Sequence, residues 1–338
     1  MYYNNGDVRL EEAPKPKVGP GEALIRIEAS GICGSDVMEW YRIKKAPLVL
    51  GHEIAGEIVE IGEGVENCKV GDRVAASHHV PCNTCHYCHS DRHTMCDTLR
   101  STTFYPGGFA EYVRLPEINV DRGVYPLPDE VSYEEGTFVE PLACVLRSQR
   151  IARMEPGQSV LVVGSGMTGL LQIALARALG AGRIIATDVS PYRLEAAKRF
   201  GADETLDARQ DVPARVRELN GGRLVERVFV CTGVVSAIEQ ALASVDRGGT
   251  VLLFAPTDPG VKIPMSVADL FFSGGVTLTS SYAGSPADHM KAVALIRAGS
   301  VSVRDMISHR LGLEEAGLGF KLVAEAGESM KVVIEPQR

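Results

Sequence analysis

The apolar positions change rhythm near residue 155. Before it they fall in short runs with partial alternation: Glu22-Ala23-Leu24-Ile25-Arg26-Ile27-Glu28-Ala29, Glu57-Ile58-Val59-Glu60-Ile61-Gly62 and Gly71-Asp72-Arg73-Val74-Ala75. Turn signals such as Val18-Gly19-Pro20-Gly21 punctuate them, which predicts short strands in a compact, mostly β, barrel-like unit. Phe104 to Val113 reads as a glycine turn into a further strand. Val131-Ser132-Tyr133-Glu134-Glu135 opens a helix, with Ser132 as N-cap and Glu135 at the capping-box position.

Beyond that point the runs become those of buried strands: 158–163, 183–188, 227–231, 250–254 and 276–282. Helical stretches over 170–179, 193–200 and 236–245 separate them. Regular strand–helix alternation predicts a doubly wound parallel sheet. The closing segment carries helices near 288–297 and 314–325 and the strand Lys331-Val332-Val333-Ile334. It is expected to pack back on the first unit.

A chain of 338 residues suggests two domains, at about 150 residues each. Hydrophobic content of 45% and charged content of 23% are ordinary for a globular protein. A net charge of -8 argues against nucleic acid or an anionic membrane as partner. No apolar run approaches the ~20 residues of a membrane span. The first residues lack a basic start followed by an apolar core, so no signal peptide is expected. Four of the eight cysteines lie between residues 82 and 96 at metal-binding spacing, which fits the reducing cytoplasm better than a disulfide framework.

Candidate chemistry centres on Gly51-His52-Glu53, with Cys33 upstream and Glu140 downstream. Thiolate, imidazole and carboxylate are the ligand set of a catalytic zinc that keeps one position open. Phe138, Val139, Leu142 and Ala143 surround Glu140 and imply burial, where a carboxylate needs a partner. Either Glu53 or Glu140 can complete the set.

Cys82-x2-Cys85-x2-Cys88-x7-Cys96 can close a tetrahedron around a structural zinc; an iron–sulfur cluster is the competing metal. With that shell complete, His78, His79, His86, His89 and His93 read as surface residues. In the second unit a strand leads into Gly164-Ser165-Gly166-Met167-Thr168-Gly169 and then a helix. That context makes the glycine pattern a dinucleotide-binding turn, with the pyrophosphate at the helix N-terminus. The next strand ends in Asp188, which can accept from ribose hydroxyls and repel a 2′-phosphate, favouring NAD. The strand to Cys231 ends in Thr232-Gly233, a terminus that can face the cofactor.

Together these motifs resemble the medium-chain zinc-dependent alcohol dehydrogenases over essentially the whole chain. Glu140-Pro141-Leu142 looks like the polyol (sorbitol-type) and threonine dehydrogenase branch. The resemblance implies an α/β protein: a GroES-like, mostly β catalytic domain (1–146, with the zinc lobe at 82–96), a Rossmann domain (147–283) and a return to the catalytic domain (284–338). It implies a catalytic zinc on Cys33, His52 and an acid, Glu53 or Glu140, exchanging or fixed. A structural zinc would sit on Cys82, Cys85, Cys88 and Cys96.

By the same resemblance NAD would lie on Gly164, Gly166, Met167, Thr168, Gly169, Asp188, Cys231, Thr232 and Tyr282, with Arg193 covering the adenine. Ser35 would take the alcohol proton and Asp36 would orient His52. Where family members often carry a histidine that passes the proton outward, this chain has Met38, so the proton leaves another way, through water. Sorbitol-type relatives tend to carry Arg-Tyr where this chain has Ser281-Tyr282, which weakens any claim for sorbitol itself.

The implied reaction is reversible hydride transfer between a secondary alcohol (a polyol or sugar-derived alcohol) and NAD, giving a ketone. The implied assembly is a homotetramer or dimer using the end of the Rossmann sheet. A threonine-type hydroxy-amino-acid or sugar-phosphate dehydrogenase is the alternative within enzymes. A non-catalytic nucleotide-binding relative is the alternative outside them.

Overall fold

The computed structural model describes residues 1–338. The chain forms two compact units, Met1–Ala143 with Ala283–Arg338, and Cys144–Tyr282.

The first unit is built on a seven-stranded sheet. Its order is Ile307–Leu311, Lys331–Ile334, Ala23–Gly31, Glu53–Ile61, Arg73–Ala76, Val124–Pro126, with Tyr112–Leu115 also paired to the Ala23 strand. All pairings are antiparallel except that of the first two strands. Alternate residues Ile25, Ile27, Ile54, Ile58 and Val74 turn into one buried cluster with Val113 and Leu115, as the strand period of two requires. Two irregularities interrupt the register of the Ala23 and Glu53 strands, at Leu24/Ile25 and Ile27/Ala29. Such bulges bend and twist a strand, and beyond them Gly31 stands opposite Glu53. The C-terminal segment supplies two strands of this sheet, and Val333 pairs with Gly31 from the other side.

Pro47–Leu50 forms no strand and makes only the isolated bridge between Leu48 and Tyr2. The carbonyl of Leu50 instead accepts from Phe109 of the Gly107-Gly108 loop.

The second unit is a six-stranded parallel sheet. Its order is Glu204–Asp207, Arg183–Asp188, Ser159–Val163, Val225–Val230, Val245–Leu253, Thr277–Ser280. Counting strands along the chain this is the 3-2-1-4-5-6 order of dinucleotide-binding sheets, whose direction switches between the first and fourth strands. Every residue of Ser159–Val163 is buried, which explains its unbroken apolar run. The strand predicted at 250–254 begins earlier, at Val245, immediately after the helix Val235–Ser244. The last strand, Thr277–Ser280, is short, lies at the sheet edge and is at most half-buried. No helix is long and apolar enough to cross a membrane.

Candidate active site

Gly51 turns the chain into the Glu53 strand with φ of +93°, a conformation that favours glycine. A Cβ there would lie 2.8 Å from the Phe109 nitrogen. The Gly108 amide donates to the Gly51 carbonyl at 2.8 Å and locks this turn. Because Gly31 pairs with Glu53, Cys33 arrives beside His52. The ligand atoms of Cys33, His52 and Glu53 all lie within 4.8 Å of one another.

Glu53 and Lys331 are wholly buried, and the Lys331 ammonium donates to Glu53 Oε2. Gly31 leaves room for this pair, since a Cβ there would sit 2.5 Å from Glu53 Oε2 and 2.6 Å from Lys331 Nζ. Burial pushes the Glu53 carboxyl up, and Lys331 works against that rise. The other oxygen, Oε1, is buried without a hydrogen-bond partner. An orphaned buried acceptor is costly. A cation held with Cys33 and His52 would satisfy it, and one sulfur, one nitrogen and one oxygen donor fit a zinc that keeps an open position.

Asp36 supports this trio from behind. Its Oδ1 lies 3.4 Å from His52 Nδ1 and accepts from Arg42 at 3.3 Å. Its Oδ2 accepts from the Cys33 amide at 3.1 Å. Burial pushes Asp36 up, yet His52, Arg42 and the Cys33 amide outweigh it and hold the carboxyl below its ordinary value. For His52, burial lowers the pKa, but Asp36 and the Cys33 thiol overcome it and raise it well above the ordinary value. A carboxylate behind a ligating imidazole fixes the ring and its tautomer.

Glu140 occupies the first turn of the helix Val139–Ile151. It does not join the three converging ligands, though its charge acts on Glu53, His79 and His289.

His78 and His79 are half-buried and packed beside His52 rather than exposed at the surface, contrary to expectation. Ala76 pairs with Ile54, so the residues after Ala76 run antiparallel past His52. The His78 ring lies 4.8 Å from that of His52 and 3.8 Å from that of His79. Burial lowers His78 well below its ordinary value and His79 to about 4. His289, also buried and lowered by burial, stacks on Tyr125 at 4.9 Å. His86 and His89 are exposed, and His93 is half-buried beside Asp91.

The four thiols of the second cluster also converge within 4.8 Å. Cys85 and Cys88 sulfurs are 3.6 Å apart, Cys82 and Cys96 3.6 Å, and Cys82 and Cys88 4.0 Å. A tetrahedron with Zn–S bonds of about 2.3 Å has an edge of about 3.8 Å, so the spacing suits a single zinc ion. The Thr84 hydroxyl and amide pull the Cys82 thiol down to about 5, towards the thiolate a metal needs.

In the second unit Gly164, with φ of +90°, ends the first strand. A Cβ on Gly169 would fall 2.0 Å from the Gly164 carbonyl oxygen, so strand and helix meet there. Gly166 caps the helix Met167–Ala178, and a Cβ on it would come no nearer than 3.8 Å to Arg193. That open cradle, beside the free amides of Met167 and Thr168, suits a pyrophosphate. Arg193 Nε is buried without a partner. Asp188 accepts from the Ser165 amide at 2.8 Å and from the Ser190 amide at 2.9 Å, one on each oxygen. Each oxygen keeps a lone pair for a ribose hydroxyl. Thr232 lies against Gly164 across the switch point, burial pushes the Cys231 thiol up to about 12, and Tyr282 follows the edge strand, partly exposed.

Sequence reasoning missed Lys331, Arg42 and the His78–His79 pair. Only Lys331 left a signal: a cation heading an otherwise apolar strand, which needs a buried partner.

Two family models match the chain: the alcohol dehydrogenase GroES-like domain over residues 19–129 and the zinc-binding dehydrogenase over residues 168–298. Sorbitol dehydrogenase of Bacillus subtilis is 31% identical, covering 100% of this chain and 97% of the relative. Among solved structures, 2R,3R-butanediol dehydrogenase from Bacillus subtilis superposes with a TM-score of 0.86 at 30% identity, covering 99% of this chain and 98% of the other. A zinc-binding dehydrogenase from Sinorhizobium meliloti 1021, bound to NADP, gives a TM-score of 0.88 at 28% identity, covering 99% and 97%. Fold and site thus define a zinc-dependent oxidoreductase that interconverts alcohol and ketone. The chain belongs to the medium-chain zinc-dependent dehydrogenases, in their sorbitol dehydrogenase-like branch.

Proposed function

We propose that the protein reversibly oxidises a polyol or sugar-derived secondary alcohol to its ketone, with NAD as the hydride acceptor. The observation that carries this reading is the convergence of Cys33, His52 and Glu53 on one point, with Glu53 Oε1 buried and unpartnered. Those three residues would hold the catalytic zinc, and Cys82, Cys85, Cys88 and Cys96 would hold the structural one. When bound, zinc supplies Lewis acidity at the substrate oxygen and the nicotinamide takes the hydride.

The chain's own residues do the rest. Asp36 holds the His52 ring. Ser35 Oγ takes the hydroxyl proton of the alcohol. Glu140, whose charge acts on Glu53, His79 and His289, offers a polar group for the remaining hydroxyls. Gly164, Gly166, Met167, Thr168 and Gly169 receive the pyrophosphate. Asp188 binds the adenosine ribose, and Arg193 covers the adenine. The carboxylate at Asp188 favours NAD, although one structural relative binds NADP.

A homotetramer in the cytoplasm is the expected working form. Association through the end of the Rossmann sheet is supported by the open edge at Thr277–Ser280 and by Phe272, whose side chain is 92% exposed.

The test is an NAD- and NADP-reduction screen over polyols, butanediols, hydroxy-amino acids and sugar phosphates, with zinc analysis on the same sample. Turnover of polyols with NAD supports the reading. Turnover confined to phosphorylated sugars or to hydroxy-amino acids would replace the substrate class.

A further inference from the structure

Arg42 stands at the end of a short helical turn, Glu39–Arg42, and is mostly buried, with 14% of its side chain exposed. Its guanidinium makes three contacts to two residues. Nε donates to the Ser35 carbonyl at 2.9 Å, and Nη2 donates to Ser35 Oγ at 3.0 Å and to Asp36 Oδ1 at 3.3 Å. That same Asp36 oxygen lies 3.4 Å from His52 Nδ1. One rigid cationic fork therefore grips the hydroxyl read as proton acceptor and the carboxylate behind a zinc-ligand imidazole.

The chemistry of the fork gives this meaning. A hydroxyl oxygen has two lone pairs and one hydrogen, and the hydrogen rotates freely unless something fixes it. Arg42 can only donate, so it occupies one lone pair of Ser35 Oγ and turns the O–H away from itself. One lone pair and the O–H remain, available to a substrate oxygen and to a proton exit. Holding the Ser35 carbonyl as well fixes the backbone that carries the hydroxyl. Asp36 is wholly buried, and a guanidinium already fixed by two bonds to Ser35 holds its carboxylate in one position.

We propose that Arg42 is a positioning residue of this dehydrogenase, aligning the Ser35 hydroxyl and the Asp36 carboxylate together from one guanidinium. The proposal rests on the reading of Ser35 as proton acceptor. Lysine is a poor substitute, because a single ammonium lacks the planar fork that reaches all three acceptors.

The test uses the full-length, zinc-loaded protein with Arg42→Met, Arg42→Lys, Ser35→Ala and the double variant Ser35→Ala/Arg42→Met. Steady-state kinetics, melting temperature and the rate of zinc loss to a chelator are measured on each. Arg42→Met should lower kcat by up to about 100-fold, the scale of a reacting group misplaced by about 1 Å, with KM for NAD unchanged. Zinc should leave it roughly 10-fold faster, the scale of a lost outer-shell partner. Arg42→Lys should fall between, with a melting temperature near that of wild type. In the Ser35→Ala background the further change to Met should cost little in kcat, because the group it aligns is gone.

Equal kcat losses in both backgrounds, or wild-type kcat and zinc retention in Arg42→Met, would overturn the proposal while leaving Ser35 in its role. Full activity of Ser35→Ala would remove the reading of Ser35 and the proposal with it. Should Arg42→Met fail to fold, Arg42→Lys with and without Ser35→Ala decides the same question.

Discussion

Glu53 and Lys331 form an ion pair in which neither side chain exposes any surface, although 278 residues separate them. Lys331 belongs to the C-terminal strand and Glu53 to the strand that follows His52, with the Ala23–Gly31 strand between them. Gly31 has no side chain to intervene, so the pair crosses over it. The end of the chain thereby fixes one oxygen of a proposed zinc ligand and leaves the other free for the metal.

Removing the lysine should expose this dependence. Breaking a buried ion pair from one side leaves an uncompensated charge. Lys331→Met should therefore cost about 3 kcal/mol in the zinc-free protein. Zinc on the free oxygen offsets the stranded carboxylate, so the loss should be smaller in the zinc-loaded protein. Urea unfolding with and without zinc measures both. A loss that is small and equal in the two forms would show that the pair does not support the ligand. Gly31→Ala should also destabilise, since its Cβ would meet both charged groups.

Metal removal should separate the two ligand sets. Three protein donors with an open position release zinc more readily than a closed shell of four thiolates. We expect two zinc ions per chain. Strong chelation should take the catalytic ion first and abolish turnover while the far-ultraviolet circular dichroism persists. Cys96→Ser should instead lower the melting temperature, because Cys96 is buried in the lobe. Turnover that survives demonstrated loss of the first ion would refute the mechanism.

The elements that set up the cofactor turn were legible because they are local. The Ser159–Val163 strand, the glycine turn and the helix are contiguous, and a fully buried parallel strand announces itself as an unbroken apolar run. Asp188 ends its strand where the pattern placed it. The trio of Cys33, His52 and Glu53 was legible only as residue types. Its geometry depends on which residues face each other across strands, and the two irregularities before Gly31 are invisible in the pattern. The placement of His78 and His79 escapes the pattern for the same reason. Their neighbours in sequence are the cysteines of the lobe, whereas their neighbours in space come from the pairing of Ala76 with Ile54. Pro47–Leu50 is apolar because it packs under the Gly107-Gly108 loop, without a continuous partner strand.

His79 carries a prediction about acid. Its Nδ1 lies 3.1 Å from the Thr102 carbonyl, which only accepts, so that nitrogen bears the hydrogen of a neutral ring. Burial lowers its pKa from 6.5 to about 4. Above the unfolded value both states are neutral there and the stability is fully present. As pH falls, the unfolded chain takes up the proton first, so stability is lost progressively between pH 6.5 and about 4. The loss should be about 2 kcal/mol after allowance for partial exposure. His79→Gln keeps a donor for the Thr102 carbonyl and cannot titrate, so its stability should fall less over that window. Parallel curves for wild type and variant, from urea titrations at several pH values, would refute this.

Cofactor choice should turn on Asp188. Its side chain is buried at the end of the second strand of the parallel sheet, and each oxygen already accepts one backbone amide. Those amides hold the carboxylate in place at the mouth of the glycine turn, with one lone pair on each oxygen directed elsewhere. Two ribose hydroxyls can use those lone pairs, whereas a 2′-phosphate brings negative charge against a carboxylate that cannot move away. Arg193 does not reverse this preference. It lies inside the following helix, beside Gly166, where its flat guanidinium suits the adenine face. Asp188→Ser should therefore weaken NAD and relieve the repulsion to NADP, narrowing the preference by about 1–3 kcal/mol, the scale of charge-assisted hydrogen bonds. The fold should tolerate the change at some cost, because one shorter serine oxygen replaces the two carboxylate oxygens that each hold an amide. Measuring kcat/KM for both cofactors in wild type and variant tests the assignment. Wild-type preference for NADP, or a ratio that the substitution leaves unchanged, would place cofactor discrimination on another residue.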